Sequence, residues 1–357
     1  MNQPSDVLFE EQKGKDGNVG IITLNRPHAL NALNHGMIIA MYQQLQIWKE
    51  SHNIKLIFIR GAGDRAFCAG GDLRYTYDRY QKADQNLIHF FRDEYQLNQL
   101  IFHYPKPYVA WLDGITMGGG VGISIHGSYR VGTERLVFAM PETGIGFFPD
   151  VGGTYFLPRL SRQIGFYLGL TGARLSGEQC YAAGIVQYQM PSNQSSEAIN
   201  RLANEVSNTN LYEDVHQVLA QFTQPTQTST IDALSDLSEH HFSAESVEEI
   251  LQNLQSSQSD ACGEVAQTLL KKSPTSLKVT LRALQQGKTL TFDQCMQQEL
   301  GLTHKFLQAH DFFEGIRALI IDKDQNPKWQ PDSLSAVTPS KLMEYFYNPA
   351  FSDTSSD

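Results

Sequence analysis

The chain has 357 residues, 41% hydrophobic and 18% charged, enough apolar material to bury a large core. Its net charge of −10 lacks the basic footprint that non-specific nucleic-acid binding requires. No apolar run reaches the ~18 residues needed to cross a bilayer, and four scattered cysteines, Cys68, Cys180, Cys262 and Cys295, offer neither a disulfide framework nor a metal clip.

The first residues, MNQPSDVLFEEQKGKDG, are polar and carry acids, with neither an apolar core segment nor an Arg-rich bias, so a cytoplasmic protein is expected. Val19 to Leu24 is a short apolar run closed by Asn25-Arg26-Pro27, which predicts a strand and a turn. Met37, Ile38, Met41, Leu45 and Trp48 recur at helical spacing. Ile54 to Ile59 predicts a buried strand, Leu87 to His103 a long helix and Tyr108 to Leu112 another strand. Gly118-Gly119-Gly120 then opens a helix running to Ile125. Alternating strands and helices imply crossover connections and a largely parallel sheet, an α/β fold.

After Asn193 the strand signals fade. Thr223 to Thr230 is a polar linker candidate, followed by helical patterns at Ser246–Gln255, Cys262–Lys272, Ser276–Gln286 and Phe292–Gln308. Lys323 to Pro331 is read as the end of the ordered pattern. The division expected is a core over 1–222, a helical region over 223–345 and a frayed tail over 346–357.

Three stretches carry residues suited to chemistry. Cys68-Ala69-Gly70-Gly71-Asp72 and Gly118-Gly119-Gly120-Val121-Gly122 both lie where a strand gives way to a helix. Glycines there let the backbone come close to a ligand, and a helix start leaves N–H groups free. Two such donors aimed at one oxygen make an oxyanion hole; each loop by itself reads first as a tight turn. Met140 to Gly153 places Glu142 and Asp150 eight residues apart in an apolar, Gly- and Pro-rich setting. Such a setting raises carboxyl pKa values and separates their protonation states. On local grounds Asp150 reads first as a helix cap. The eleven histidines show no HExxH-like spacing and Ser124 is not in a G-x-S-x-G elbow, so no metal site and no serine nucleophile are expected.

Asn25-Arg26-Pro27 with Leu30-Asn31-Ala32-Leu33, then Ala66 through Leu73, Gly114 through Gly122, and Pro141-Glu142 occur in the order and spacing of the crotonase (enoyl-CoA hydratase/isomerase) superfamily, which the chain resembles. The resemblance implies a spiral core of ββα turns with a helical C-terminal region, and an acyl-CoA ligand. It also implies an oxyanion hole from the N–H groups of Gly71 and Gly119. Hydratases of this superfamily carry two glutamates. The first falls at Gly122, where the acid is missing, and the second matches Glu142; Asp150 stands where they have glycine.

Pro141-Glu142-Thr143 to Gly153, Phe90 to Tyr95, Gly114 to Met117, and Asp311 to Gln325 are similar to the 3-hydroxyisobutyryl-CoA hydrolase branch, extending the resemblance over nearly the whole chain. The branch implies substrate contacts at Glu94, Gly119, Glu142 and Asp150, with Glu142 as nucleophile or as base to a water, and a place in valine breakdown. Taken alone, Glu94 reads as a solvated helix acid. The adenine side of CoA is expected near Arg26, His28 and Ala69, with Lys271, Lys272, Lys278 and Arg282 as candidates for its phosphates, since the whole-protein field repels them. No cofactor is expected beyond the CoA of substrate and product, and self-association is compatible with the superfamily. A hydratase or isomerase, or a non-catalytic CoA-binding protein, are the competing readings.

Overall fold

The run Asn-Val-Gly-Ile-Ile-Thr-Leu forms strand β2 (Asn18–Leu24), buried along nearly its whole length and paired antiparallel with β1 (Val7–Gln12). The computed structural model describes residues 5–84, 86–223 and 231–347. The chain divides into two compact units interleaved in sequence. The first comprises Met1–Asp72, Gln96–Ala139 and Arg174–Asp232; the second Leu73–Tyr95, Met140–Ala173 and Ala233–Asp357. The linear boundary expected at 222 adjoins residues 224–230, so all of the linker candidate but Thr223, and the tail beyond 347, lie outside the described residues.

In the first unit, helix α1 (His35–Glu50) follows β2 and buries the five apolar residues singled out by spacing. Asn34 starts it by accepting the Met37 N–H at 2.9 Å. Its Trp48 lies over Gly20 of β2 so closely that a Cβ there would come within 2.9 Å of the indole. Strand β3 (Ile54–Gly61) pairs parallel with β2, and β4 (Ala66–Cys68) follows it.

The next strands come in twos. β5 (Tyr108–Leu112) and β6 (Ile115–Met117) lead into α4 (Gly119–Ile125), then β7 (Tyr129–Gly132) and β8 (Val137–Ala139). The first strand of each pair joins a six-stranded sheet, ordered β1-β2-β3-β5-β7 and ending at β10 (Tyr188–Gln189). The second joins a four-stranded sheet, β4-β6-β8 and then β9 (Leu175–Ser176). The parallel pairing of β3, β5 and β7, and of β4, β6 and β8, is a spiral of ββα turns. Helices α7 (Gly177–Ala182), α8 (Ser195–Glu205) and α9 (Leu211–Ala220) complete the unit.

Ile199, Leu202, Val215 and Val218 of α8 and α9 pack on Val19, Leu56, Phe58, Val109 and Trp111 of the large sheet. With both faces covered, the parallel strands read as continuous apolar runs. Lys55, buried in β3, is the exception. Its ammonium donates to the Ala203 and Val206 carbonyls at 2.8 and 2.7 Å, closing the C-terminal end of α8.

The second unit is helical. It holds α2 (Leu73–Gln81) and the first part of α3 (Leu87–Phe102), then α5 (Gly153–Phe156) and α6 (Ile164–Thr171). Helices α10 (Asp232–His241), α11 (Val247–Ser256), α12 (Asp260–Leu270), α13 (Pro274–Gly287), α14 (Phe292–Phe306), α15 (His310–Ile316) and α16 (Pro339–Phe346) follow. Phe91, Phe147, Phe148, Phe306 and Phe312 form its aromatic core; Phe147 and Phe312 lie 4.6 Å apart, and Phe148 and Phe306 5.5 Å.

The order does not stop at Pro331, as the sequence had suggested. Lys328 and Gln330 donate their N–H groups to Glu314 and Asp311, both at 2.7 Å, and α16 then sets Tyr345 against Phe306. Side chains from α15 hold this segment, so it needs no periodicity of its own.

Candidate active site

The candidate residues are distributed over the two units, Gly71 and Gly119 in the first and Glu94, Glu142 and Asp150 in the second. In the first, the loop after β4 runs beside Leu33 as an isolated parallel bridge: Gly70 accepts the Leu33 N–H at 2.8 Å and Asp72 donates to the Leu33 carbonyl at 2.9 Å. Successive backbone groups point to opposite sides of an extended chain, so the intervening Gly71 turns its N–H away. No acceptor for it occurs among the described residues. Gly119 is the first residue of α4, where a helix leaves its N–H free.

The two glycine loops touch. A Cβ on Gly70 would lie 3.3 Å from the Met117 carbonyl oxygen and 3.7 Å from the Gly119 nitrogen, and one on Gly120 would lie 2.3 Å from the Cys68 carbonyl oxygen. Gly70 also has φ +109°, a conformation side chains disfavour. Close approach therefore explains the glycines, and it sets two unused donors in neighbouring loops. Cys68 is fully buried, which leaves its thiol a packing group.

The Asn-Arg-Pro and Leu-Asn-Ala-Leu motifs brace this loop. Arg26 donates to Asp72 at 3.0 Å and to the Ala32 carbonyl at 2.6 Å, with Asp6 3.7 Å away. Asn31 is buried at φ +55°, accepting the Arg26 N–H and donating to the Ala62 and Ala66 carbonyls. Arg26 is thus an internal strut as much as a ligand candidate. His28 is exposed, and Ala69 is half-buried with its N–H on the Leu30 carbonyl.

In the second unit, Glu142 opens a short 3-10 turn, Glu142–Ile145, that Thr143 pins by donating to the Leu170 carbonyl at 3.0 Å. Glu142 is 6% exposed and its Oε2 has no partner among the described residues. Asp150 is 5% exposed; its Oδ2 accepts the Tyr95 hydroxyl at 2.7 Å. That hydroxyl also lies 2.7 Å from Thr303 Oγ1, where either group can donate. Glu94 is buried beside Tyr95 in the sequence of α3, with Oε1 unpartnered. The solvated-acid reading of Glu94 is therefore corrected: the helix turns it inward.

Asp150 is not a helix cap. Glu299 of α14 fills that role, accepting the Gly152 N–H at 2.7 Å, the Thr154 N–H at 3.0 Å and the Thr154 hydroxyl at 2.5 Å. Nothing local in the sequence marks Glu299, Thr303 or Tyr95. Glu299 and Thr303 stand four apart on α14, a spacing that puts both on one face, and this was the only signal available.

Glu94, Glu142, Asp150 and Glu299 thus lie buried in one unit, and burial raises the pKa of each. Desolvation pushes Asp150 up to about 7, against the opposing Tyr95 hydrogen bond. Glu299 is pushed up to about 8 by burial, although its three donors favour the charged form. Glu94 and Glu142 rise well above the usual range, through burial first and the Asp150 charge second. Lys272 is the cation facing Glu142: burial lowers its pKa and Glu142 raises it.

Of the other phosphate candidates, Lys271 is exposed. Lys278 pairs with Glu248 at 2.6 Å, and Arg282 stacks over Phe346.

The family model described as enoyl-CoA hydratase/isomerase matches residues 19–346. The chain is 46% identical over 354 residues to a Rattus norvegicus protein named 3-hydroxyisobutyryl-CoA hydrolase, mitochondrial, covering 96% of this chain and 89% of the relative. It is 44% identical over 360 residues to the Homo sapiens protein of the same name, covering 99% and 92%. A solved structure named as a carnitinyl-CoA dehydratase from Mycobacterium thermoresistibile matches with TM-score 0.87 at 36% identity, covering 97% of each chain. The mitochondrial relatives overturn the cytoplasmic expectation. That expectation rested on the composition of residues 1–17 alone, a stretch that includes β1 of the large sheet.

Proposed function

The chain belongs to the enoyl-CoA hydratase/isomerase family, and we propose that it hydrolyses 3-hydroxyisobutyryl-CoA, or a close 3-hydroxyacyl-CoA, to free CoA and the 3-hydroxy acid. One observation carries this reading. Asp150 is a buried, hydroxyl-bonded acid in the same unit as Glu142, while Gly122 supplies no carboxylate from α4. Water addition across a double bond uses an acid and a base at the two glutamate positions. The acids here instead suit acyl transfer to a carboxylate, with a second carboxyl for the substrate's hydroxyl.

In this mechanism the Gly71 and Gly119 N–H groups hold the thioester oxygen and stabilise the negative charge it gains. A Glu142 oxygen bonds to the carbonyl carbon, the C–S bond breaks, and CoA leaves as a thiolate that takes up a proton. Water then attacks the mixed anhydride, releasing the 3-hydroxy acid and restoring the Glu142 carboxylate. In the variant route Glu142 takes the proton of an attacking water. Asp150 meets the 3-hydroxyl, and Glu94, with an unpartnered buried oxygen, lines the acyl group. Arg26, His28 and Ala69 are assigned to the CoA side. The route draws on no metal or redox group, and a 3-hydroxyisobutyrate product supports a role in valine breakdown.

Parallel assays with 3-hydroxyisobutyryl-CoA and crotonyl-CoA test this reading. Free thiol from the first, without hydration of the second, supports it. Hydration of crotonyl-CoA without thiol release overturns it in favour of a hydratase.

A further inference from the structure

Asp150 and the turn after it are held by one helix. Glu299 and Thr303 lie four residues apart on α14 and are both fully buried. Glu299 takes the N–H groups of Gly152 and Thr154, fixing the backbone on the C-terminal side of Asp150. Thr303 holds the Tyr95 hydroxyl, and that hydroxyl holds Asp150 Oδ2. The turn needs such restraint. Val151 has φ +51° and Gly152 φ +85°. A β-branched residue in the left-handed region is strained, and it persists only where its surroundings over-determine it.

We propose that the Thr303–Tyr95 hydroxyl pair aims Asp150 at the 3-hydroxyl of the acyl group, which makes Tyr95 a positioning residue that sets the enzyme's preference for hydroxylated acyl chains. With Oδ2 held by Tyr95, Oδ1 is the oxygen left to accept the substrate hydroxyl. A carboxyl fixed at one oxygen discriminates by geometry, since a thioester without the hydroxyl leaves it buried and unmatched. This rests on the hydrolase reading and deepens it.

The groups facing Asp150 are Glu94 and Tyr95 from α3, Glu142 from the 3-10 turn, and Glu299 and Thr303 from α14; Lys272 faces Glu142. Among these the Tyr95 hydrogen bond favours the charged form of Asp150. Its loss therefore moves the acidic limb of the pH profile to higher pH.

The test compares wild type, Tyr95→Phe, Thr303→Val and Thr303→Ser on 3-hydroxyisobutyryl-CoA and isobutyryl-CoA, reading thiol release across pH, with circular dichroism to verify folding. Tyr95→Phe is expected to lower kcat/KM for the hydroxylated thioester about 10–100-fold. It should change the plain one less than ~3-fold and shift the acidic limb upward. Thr303→Val should follow in the same direction to a smaller extent, with Thr303→Ser near wild type. Should Tyr95→Phe fail to fold, Thr303→Val against Thr303→Ser carries the test. Equal losses on both thioesters, or an unmoved acidic limb, overturn the proposal while leaving the hydrolase reading intact. No thiol release from wild type with the hydroxylated thioester overturns both.

Discussion

Glu299 accepts the N–H of Gly152, 147 residues earlier in the chain, at 2.7 Å. With the two bonds from Thr154 it makes the buried cap of α5 and holds the turn that carries Asp150. Glu299→Ala would leave two backbone donors and a hydroxyl unmatched in a dry environment. A loss of roughly 2–4 kcal/mol of stability is expected, measured as a lower urea midpoint. A midpoint equal to wild type would show that water replaces the carboxylate freely.

In the proposed mechanism turnover depends on Glu142. Glu142→Gln preserves the shape of the side chain and removes its basicity and nucleophilicity. Thiol release should fall by at least ~10²–10⁴-fold, whether Glu142 attacks or activates water. The circular dichroism spectrum should not change. Near-normal turnover in this variant would remove Glu142 from the chemistry.

Lys272 opposes the rise in the Glu142 pKa. Lys272→Met removes that charge, so Glu142 holds its proton to higher pH and fewer molecules carry the reactive carboxylate at neutrality. The acidic limb of kcat/KM should move upward and activity should recover at alkaline pH. A profile unchanged in position would mean that the ammonium serves a different partner.

The buried carboxyls also tie stability to pH. Asp150 rises to about 7 from 3.8 and Glu299 to about 8 from 4.5. Both bind protons more tightly folded than unfolded. Their contribution is full below about pH 4 and is lost as pH climbs through 7 to 8. The unliganded protein should therefore lose stability between about pH 5 and about pH 8.5. Asp150→Asn should flatten part of that slope in denaturation curves. A parallel slope in wild type and variant would contradict the assignment to Asp150.

Gly120→Ala tests the glycine loops. The new methyl would lie 2.3 Å from the Cys68 carbonyl oxygen, so the loops must part. Such overpacking costs about 1–3 kcal/mol, and displacement of the Gly119 N–H should lower kcat more than stability alone explains. Full activity with a normal melting temperature would argue that the loop contact is immaterial.

Strands β2, β3 and β5 and helices α1, α3 and α4 were legible to within a few residues, because burial on one or both faces writes a period into the sequence. Helices α11, α12, α13 and α14 were legible for the same reason. The segment near Pro331 was not, since bonds from Asp311 and Glu314 order it.

The sequence by itself determined the family resemblance, the two glycine loops, Glu142, and the lack of an acid at Gly122. These depend on residue identity at short spacing, which a linear reading preserves. Only the tertiary structure decided that Asp150 is a buried, hydroxyl-bonded acid rather than a helix cap, that Glu94 points inward, and that Glu299 does the capping. The physical reason is that protonation and capping depend on burial and on donors brought together from α3 and α14. Such contacts join residues up to 208 positions apart, as Tyr95 and Thr303 are, and leave no local period to read.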